Sequence, residues 1–248
     1  MDIIIPENGI LSKSQAGAFK RMLIKAKIQE NLHKLFKKLG LKTYKGFSLD
    51  NIRVPDSKIS KMAVERVRDE SNEMLFNHCF RSFYWSAGFS LSEGLPVDEE
   101  LLFVSSILHD IGLTDKHNHV CSAQCFASYG GAYAEDFLIQ NEFDHQRAKL
   151  ARNIIALHLN PLVDKNIHGS EAYCLSKGVI MDVIGANLFQ LEKSFLQGVI
   201  RKYNRRHFID EITRTMEEFN HKKNTRAALL YNMGFDKLAR KNALEKLN

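Results

Sequence analysis

Proline, cysteine and long apolar runs are all scarce in this chain of 248 residues. Its four prolines fall between helix-like stretches, so they leave those stretches unbroken. Its four cysteines are too few for a disulfide scaffold, which makes a reducing, cytoplasmic location the expected one. No apolar run approaches the ~20 residues that span a bilayer, and we expect no membrane partner.

The start of the chain also lacks the features of a signal peptide. Residues 1–7 carry no basic region, and their apolar stretch is short. This agrees with the cytoplasmic location that the cysteine content indicates.

Charge is unevenly distributed around the formal net value of +6. Residues 1–50 and 201–248 each carry a net +6, whereas residues 51–150 carry −6. The acidic middle suits a cation-binding centre. The basic ends are interpreted as solvated helix faces, with contact to a polyanion or to the acidic zone of a second subunit as alternatives, so a homo-oligomer stays possible. No basic motif with interleaved aromatics occurs, and no nucleic-acid partner is expected.

Hydrophobic periodicity predicts an all-α protein. A first helix is expected over about 14–39, with a buried stripe formed by Leu23, Ala26, Ile28, Leu32, Leu35 and Phe36. A second helix opens near Asp56 or Ser57, and Asp98 caps an apolar, central helix that ends at Gly112. Later helices are expected at about 122–141, 144–159, 171–192, 207–220 and 224–246. Strand alternation is not convincing anywhere.

Four metal-binding side chains lie in the most apolar segments. They are His78, the adjacent pair His109 and Asp110, and Asp182. Charged groups in apolar surroundings are costly unless they are paired or bind a metal. Mixed nitrogen and oxygen ligands with an open position suit a divalent hydrolytic metal. Each residue alone is more often a hydrogen-bonded core residue, but the four together predict a metal site.

The order His, His-Asp, Asp on helices resembles the HD superfamily of metal-dependent hydrolases, and more narrowly its cyanamide-hydratase-like branch. The matching stretches are VPDS at 54–57, NHCFRS at 77–82, LHDIGLT at 108–114, FASYGGA at 126–132, IALH at 155–158 and MDVIG at 181–185. The resemblance implies an HD-domain helical bundle over 51–220, with a basic helical extension at 1–50 and a basic tail at 221–248. It also implies one divalent metal, zinc or iron, held by His78, His109, Asp110 and Asp182.

Further residues of these stretches have candidate roles in binding a small-molecule substrate. His158 matches a pocket histidine of the family and is predicted to face substrate or move a proton, with Asp110 as its catalytic partner. Arg81 is interpreted as a brace for a carboxylate ligand or as a contact for an anionic substrate, with a surface ion pair as the alternative to both. Asn77 and Thr114 are weaker candidates for orienting water or substrate. The Gly-Gly pair at 130–131 predicts a close helix contact rather than a phosphate site.

Three functions remain open at this stage. The leading hypothesis is a metal-dependent hydratase or hydrolase, in which hydroxide generated at the metal attacks a small C–N substrate such as cyanamide or a nitrile, giving urea or an amide. The alternative is an HD phosphohydrolase acting on a nucleotide or another phosphate ester. The absence of Lys and Arg from residues 82–115 weighs mildly against it. The third is a non-catalytic HD-fold binding protein.

Overall fold

The computed structural model describes residues 5–247, and in them helices are the regular structure, with a single bridge between Ile10 and Thr225. The all-α prediction is confirmed. Residues 1–4, part of the stretch considered for a signal peptide, lie outside the described residues. The helices are α1 Lys13–Lys38, α2 Lys58–Glu70, α3 Glu73–Glu93, α4 Glu99–Leu108, α5 Phe126–Gln140, α6 His145–Leu157, α7 Lys165–Ile184, α8 Lys193–Lys202, α9 Phe208–Glu218, α10 Arg226–Asn232 and α11 Phe235–Ala239.

Short polar side chains start most of these helices by accepting hydrogen bonds from the first turn. Ser12 caps α1 and forms a capping box with Gln15. Ser57 caps α2, which decides between the two predicted residues, and Asp98 caps α4 as expected. The starts of α2 and α4 were therefore readable from the sequence, whereas α5 begins at Phe126 instead of near residue 122 and α7 at Lys165 instead of near residue 171.

The predicted ends of two helices were wrong, because glycines with left-handed backbone angles end these helices earlier in the chain. Gly185 has φ 72° and ends α7, which had been expected to continue to residue 192. Gly234 has φ 89° and separates α10 from α11, where one long helix had been predicted. Helix α8 follows the early end of α7 and was not predicted.

The core forms around α4. Its side chains Leu101 to Leu108 are all buried, and α2, α3, α6 and α7 pack around it. The prediction of a central helix is therefore confirmed. None of the helices in residues 5–247 is both long and apolar enough to cross a membrane.

The first helix packs with a different face from the one predicted. Phe19 and Met22 are buried against α10, whereas Ile28 is 54% exposed and Leu35 is 48% exposed. Most of the apolar stripe expected to be buried thus faces away from the protein. The periodicity identified the helix, but the choice of buried face depended on where α10 lies.

Two glycines allow close approach between chain segments near α5. A Cβ on Gly112 would lie 2.8 Å from the carbonyl oxygen of Phe126. Helix α4 already ends at Leu108, so Gly112 does not terminate it as predicted; it lets the following turn approach α5. A Cβ on Gly131 would lie 2.6 Å from the carbonyl oxygen of Arg152 on α6, which confirms the predicted close helix contact.

We predict that Gly131→Ala lowers the free energy of unfolding by about 1–3 kcal/mol, because the added methyl group forces α5 and α6 apart. Gly17→Ala in α1 is the matched control. Its Cβ would meet only an arginine side-chain atom at 3.6 Å, so it should leave stability unchanged or raise it by up to ~1 kcal/mol. Chemical denaturation measures both. Equal effects of the two substitutions would contradict the close contact.

Candidate metal centre

Three of the predicted side chains meet in the interior. His78 lies on α3, and His109 and Asp110 follow the last residue of α4. His78 Nε2 is 3.3 Å from Asp110 Oδ2, His109 Nε2 is 3.2 Å from the same oxygen, and the two Nε2 atoms are 3.3 Å apart. All three residues are buried. They form a compact group of ligand atoms for one metal ion.

His158 lies beside this group at the end of α6. Its Nε2 is 3.5 Å from Asp110 Oδ1, and neither atom has a hydrogen-bond partner among the described residues. Its ring contacts the His109 ring edge-on, with centroids 4.9 Å apart. The side chain is fully buried. The structure therefore places His158 Nε2 next to the Asp110 oxygen that has no hydrogen-bond partner among the described residues.

The tautomer of each imidazole follows from its outer hydrogen bond. His109 Nδ1 is 2.8 Å from the carbonyl oxygen of Ser106, and His158 Nδ1 is 2.7 Å from that of Ile155. His78 Nδ1 is 2.7 Å from Asp182 Oδ2. Because these oxygens only accept, each Nδ1 carries a hydrogen and each ring directs Nε2 inwards, where it offers a lone pair whenever the ring is neutral.

The centre therefore requires a cation. Three imidazole lone pairs and both oxygens of Asp110 converge, and in the neutral rings no hydrogen lies between them. Burial by itself lowers the pKa of an imidazole, yet the charge of Asp110 raises the pKa of His109 to about 9 and also raises that of His78. The carboxylate thus favours positive charge at this position. Nitrogen and oxygen donors of this kind suit zinc or a similar transition metal.

Backbone geometry at the end of α4 sets the orientation of the adjacent pair. His109 keeps helical angles, whereas Asp110 has φ −107° and ψ 18° and leaves the helix. A 3-10 turn follows at Ile111–Leu113, closed by the Leu113 amide donating to the carbonyl oxygen of Asp110. The change of direction between the two residues lets neighbouring side chains face the same point.

Asp182 does not join the ligand group in this structure. Its two oxygens accept hydrogen bonds from His78 Nδ1, from the Arg81 guanidinium, from Trp85 Nε1 at 2.8 Å and from Arg205 Nη1 at 2.6 Å. Asp182 faces Nδ1 of His78, while the ligand group faces Nε2 on the other side of the ring. The role of Asp182 as a fourth ligand stays a prediction. In this structure its carboxylate orients His78 from behind.

Arg81 has a structural partner on each side of its guanidinium. Nε and Nη2 donate to Asp182, and Nη1 donates to the carbonyl oxygen of Asn204. The group is fully buried and lies over the Phe208 ring. Of the interpretations drawn from the sequence, the geometry agrees with the carboxylate brace and leaves the guanidinium no free edge for a substrate.

The two weaker substrate candidates lie beside the group without entering it. Asn77 precedes His78 on α3 and is 9% exposed. Thr114 is buried, and its hydroxyl donates to the carbonyl oxygen of Ile111 at 2.9 Å, which closes the turn after Asp110. The hydroxyl proton is thereby used locally, so Thr114 supports the turn rather than donating to a substrate.

Sequence reasoning missed the residues that complete the centre from the C-terminal part of the chain. Arg205 pairs with Asp182 and with Glu245, and Phe208 stacks on the His78 ring with centroids 5.0 Å apart. Asn242 donates to the backbone oxygen of Asp182. Only the tertiary fold brings these residues to the site, because the chain from 205 to 245 has no ligand-like pattern.

Two more buried groups lie on the His158 side. His221 contacts the Phe126 ring, which also contacts His158, and neither ring nitrogen of His221 has a hydrogen-bond partner among the described residues. Arg226 is fully buried, and its hydrogen bonds go to neutral groups, including the Asn160 side chain and Ser128 Oγ. Buried polar groups without partners mark places where a ligand can supply the missing hydrogen bonds.

The fold and the site define an all-α protein with a buried His-His-Asp group suited to a metal ion. No family model matches the chain. Two cyanamide hydratases of Saccharomyces cerevisiae, DDI2 and DDI3, are similar to it. Each is 22% identical over 172 residues, which cover 68% of this chain and 76% of the relative. The similarity is distant, but it extends over most of both proteins.

We predict that Asp182→Asn lowers the free energy of unfolding of the metal-free protein by about 3–5 kcal/mol, because it leaves the buried Arg81 guanidinium without a counter-charge and Arg205 with Glu245 alone. Asp210→Asn is the matched control. Both side chains of its ion pair with Arg240 are exposed, so the free energy of unfolding should change by no more than about 0.5 kcal/mol. Denaturant titration compares the two. A small effect at Asp182 would contradict its role as the shared counter-ion.

Proposed function

We propose that this protein is a metal-dependent hydratase or hydrolase that adds water to a small C–N compound, with cyanamide and its hydration to urea as the leading case. One observation carries the proposal: the inward lone pairs of His78, His109 and Asp110 converge beside the unpartnered Nε2 of His158. The two yeast relatives, which are named as cyanamide hydratases, support the choice of substrate class.

His78, His109 and Asp110 would hold the metal, with Asp182 and Ser106 fixing the two imidazoles from behind. A divalent transition metal, zinc or iron, supplies Lewis acidity that activates water at neutral pH. The protein's own contribution is to keep both rings in the required tautomer. Phe208 on one side shields the His78 ring from solvent.

His158 is proposed to accept a proton. Burial and the nearby charge of His109 lower the pKa of His158 to about 3, so the ring is neutral at neutral pH. With its hydrogen on Nδ1, the ring offers Nε2 as an acceptor to water or to a substrate N–H group. Asp110 Oδ1 is a second acceptor 3.5 Å away. Two adjacent acceptors match the amino group of cyanamide, which has two N–H donors.

The Phe126 ring gives this side of the site an apolar wall, with His221 behind it. A small, nearly neutral substrate fits such surroundings, because few charged groups remain free to bind an anion. Arg81 and Arg205 both pair with Asp182, and Arg205 also pairs with Glu245, so the two guanidinium groups have two carboxylates as partners. The site is thus proposed to select its substrate by size and by hydrogen-bond donors.

A phosphohydrolase is the second candidate, and one residue favours it. Arg226 is a buried guanidinium bonded to neutral groups, which leaves its charge available to an anionic ligand. Its position near His158 is compatible with a phosphate group bound next to the metal. We rank this function second because the yeast relatives carry the name of a C–N hydratase. A purely binding role ranks third, since it would not need the converging ligand set.

We predict that the purified protein carries about one transition-metal ion per chain and that Asp110→Asn loses most of it, because the amide removes the negative charge that attracts the cation. Elemental analysis of both proteins measures this. Asp136→Asn, an exposed carboxylate on α5, is the control and should retain the metal. Circular dichroism should show the same helix content in all three. Absence of stoichiometric metal, together with no activation by zinc, iron, manganese or nickel, would refute the site.

We predict that the metal-loaded protein releases urea from cyanamide and does not hydrolyse a generic phosphodiester or a nucleotide. His158→Gln should retain the metal and lower turnover by roughly 10²–10⁴-fold, as expected for the loss of a proton acceptor. His145→Gln, at an exposed position that begins α6, is the control and should be fully active.

The outcomes separate the proposals. Hydrolysis of the phosphodiester, with strong dependence on Arg226, would favour the second candidate. Loss of metal from His158→Gln would make that residue a ligand instead of a proton acceptor. Full activity of the variant would show that the proton moves by another route.

A further inference from the structure

A row of apolar side chains on α1 faces away from the rest of the protein. Of the twelve large hydrophobic side chains exposed in residues 5–247, seven lie between residues 24 and 41. Monomeric proteins seldom expose such side chains as one continuous surface. We call the set made by Ile24, Ile28, Leu32, Leu35 and Leu39 the α1 ridge.

The members of the α1 ridge lie in line because of the spacing of residues in an α-helix. Its members recur every three or four residues, so they lie in a line along one face. The opposite face carries Phe19 and Met22, which pack with Leu229 of α10. In its C-terminal half, α1 is attached by polar contacts, in which Glu30 accepts from the amide of Asn187 and Lys37 donates to the carbonyl oxygen of Phe189. The ridge therefore points outwards while the opposite face of α1 remains attached to the rest of the protein.

The helix that carries the ridge is strongly basic. Among its 26 residues are eight Lys or Arg and one acid, Glu30, which is 7% exposed. Lys27 and Lys34 both pair with Glu30, so together these three residues still leave one positive charge. Exposed lysines at 20, 27, 34 and 38 follow one edge of the ridge at near-heptad spacing.

This charge argues against a second copy of the chain as the partner. Two α1 ridges packed against each other would bring the lysine rows of both copies together, and like charges across a helix pair are destabilising. A partner must therefore supply negative charge next to an apolar interior. The ridge is also convex, because its side chains stand along the single helix α1 and are exposed in the part of the chain that the structure describes.

We propose that the α1 ridge docks the protein at an anionic lipid surface, which departs from the expectation of no membrane partner because that expectation concerned spanning segments only. A helix in this role lies in the plane of the interface, with its apolar side chains among the acyl chains and its lysines at the headgroup phosphates. Long lysine side chains reach the phosphates while their methylene groups remain in the apolar layer. A fluid lipid surface accepts a convex ridge without a matching groove. The contact is peripheral, and it does not depend on the function of the metal centre.

The test uses the full-length protein and sedimentation with vesicles of phosphatidylcholine alone or of phosphatidylcholine with 30% phosphatidylglycerol. We expect binding to the second composition, weakened by salt, and little binding to the first. Ile24→Asp combined with Leu35→Asp should abolish it. The matched control is Ile167→Asp with Leu150→Asp, because those side chains are 63% and 49% exposed elsewhere on the surface. Lys20→Gln with Lys38→Gln should weaken binding by roughly 25-fold.

Circular dichroism and thermal unfolding confirm that each variant is folded. Equal binding to both vesicle compositions, or unchanged binding by the ridge variant, would overturn the proposal. The proposal would also be overturned if the protein did not bind vesicles but formed a dimer that the ridge variant could not form. The ridge would then be an interface between copies. Binding of an acidic amphipathic peptide, but not of vesicles, would assign the ridge to a protein partner and also overturn it.

Discussion

The Asp182 carboxylate is the buried charge around which the rest of the centre is organised. Two guanidinium groups and the Trp85 indole donate to it, and so does the His78 ring. These donors come from α3 and from the segment after α8, so one carboxylate ties together distant parts of the chain. A carboxylate this deep requires full compensation, and its pKa lies well below the ordinary value despite burial because the two guanidinium groups stabilise its charge.

Asp110 is a second buried carboxylate with the opposite arrangement. It faces imidazole lone pairs instead of guanidinium donors, and one of its oxygens has no hydrogen-bond partner among the described residues. The two carboxylates therefore have distinct tasks. Both oxygens of Asp182 accept hydrogen bonds from the protein, and the carboxylate holds His78 in place. Asp110 has an oxygen without a hydrogen-bond partner among the described residues, and its charge favours a cation. Asp110 is the group that can take part in chemistry.

The two ends of the chain differ in how they are attached. The C-terminal segment reaches the centre directly, because Asn242 bonds to the backbone of Asp182 and Glu245 pairs with Arg205. The first helix instead contacts α10 through its N-terminal half and leaves an apolar, basic surface outside. The division into an extension, a central domain and a tail stays a prediction, although the contacts of Asn242 and Glu245 show that the tail is part of the centre's support.

Local patterns were sufficient to predict an all-α fold, the cap at Asp98, a cap at Asp56 or Ser57, and the burial of the His-Asp pair. Each of these depends on residues close in sequence, where periodicity and hydrogen bonding to the first turn act. The glycine pair at 130–131 was likewise readable, since only glycine allows such a close helix contact.

Which groups meet was decided by the tertiary structure. The sequence marked Asp182 as a buried carboxylate, and only the fold shows that two arginines and the His78 ring bind it. The buried face of α1 depended on the position of α10, which lies about 200 residues further along the chain. Composition and spacing specify helices and candidate ligands. Pairing between distant charges follows from the packing of the helices, and that packing depends on several segments at once.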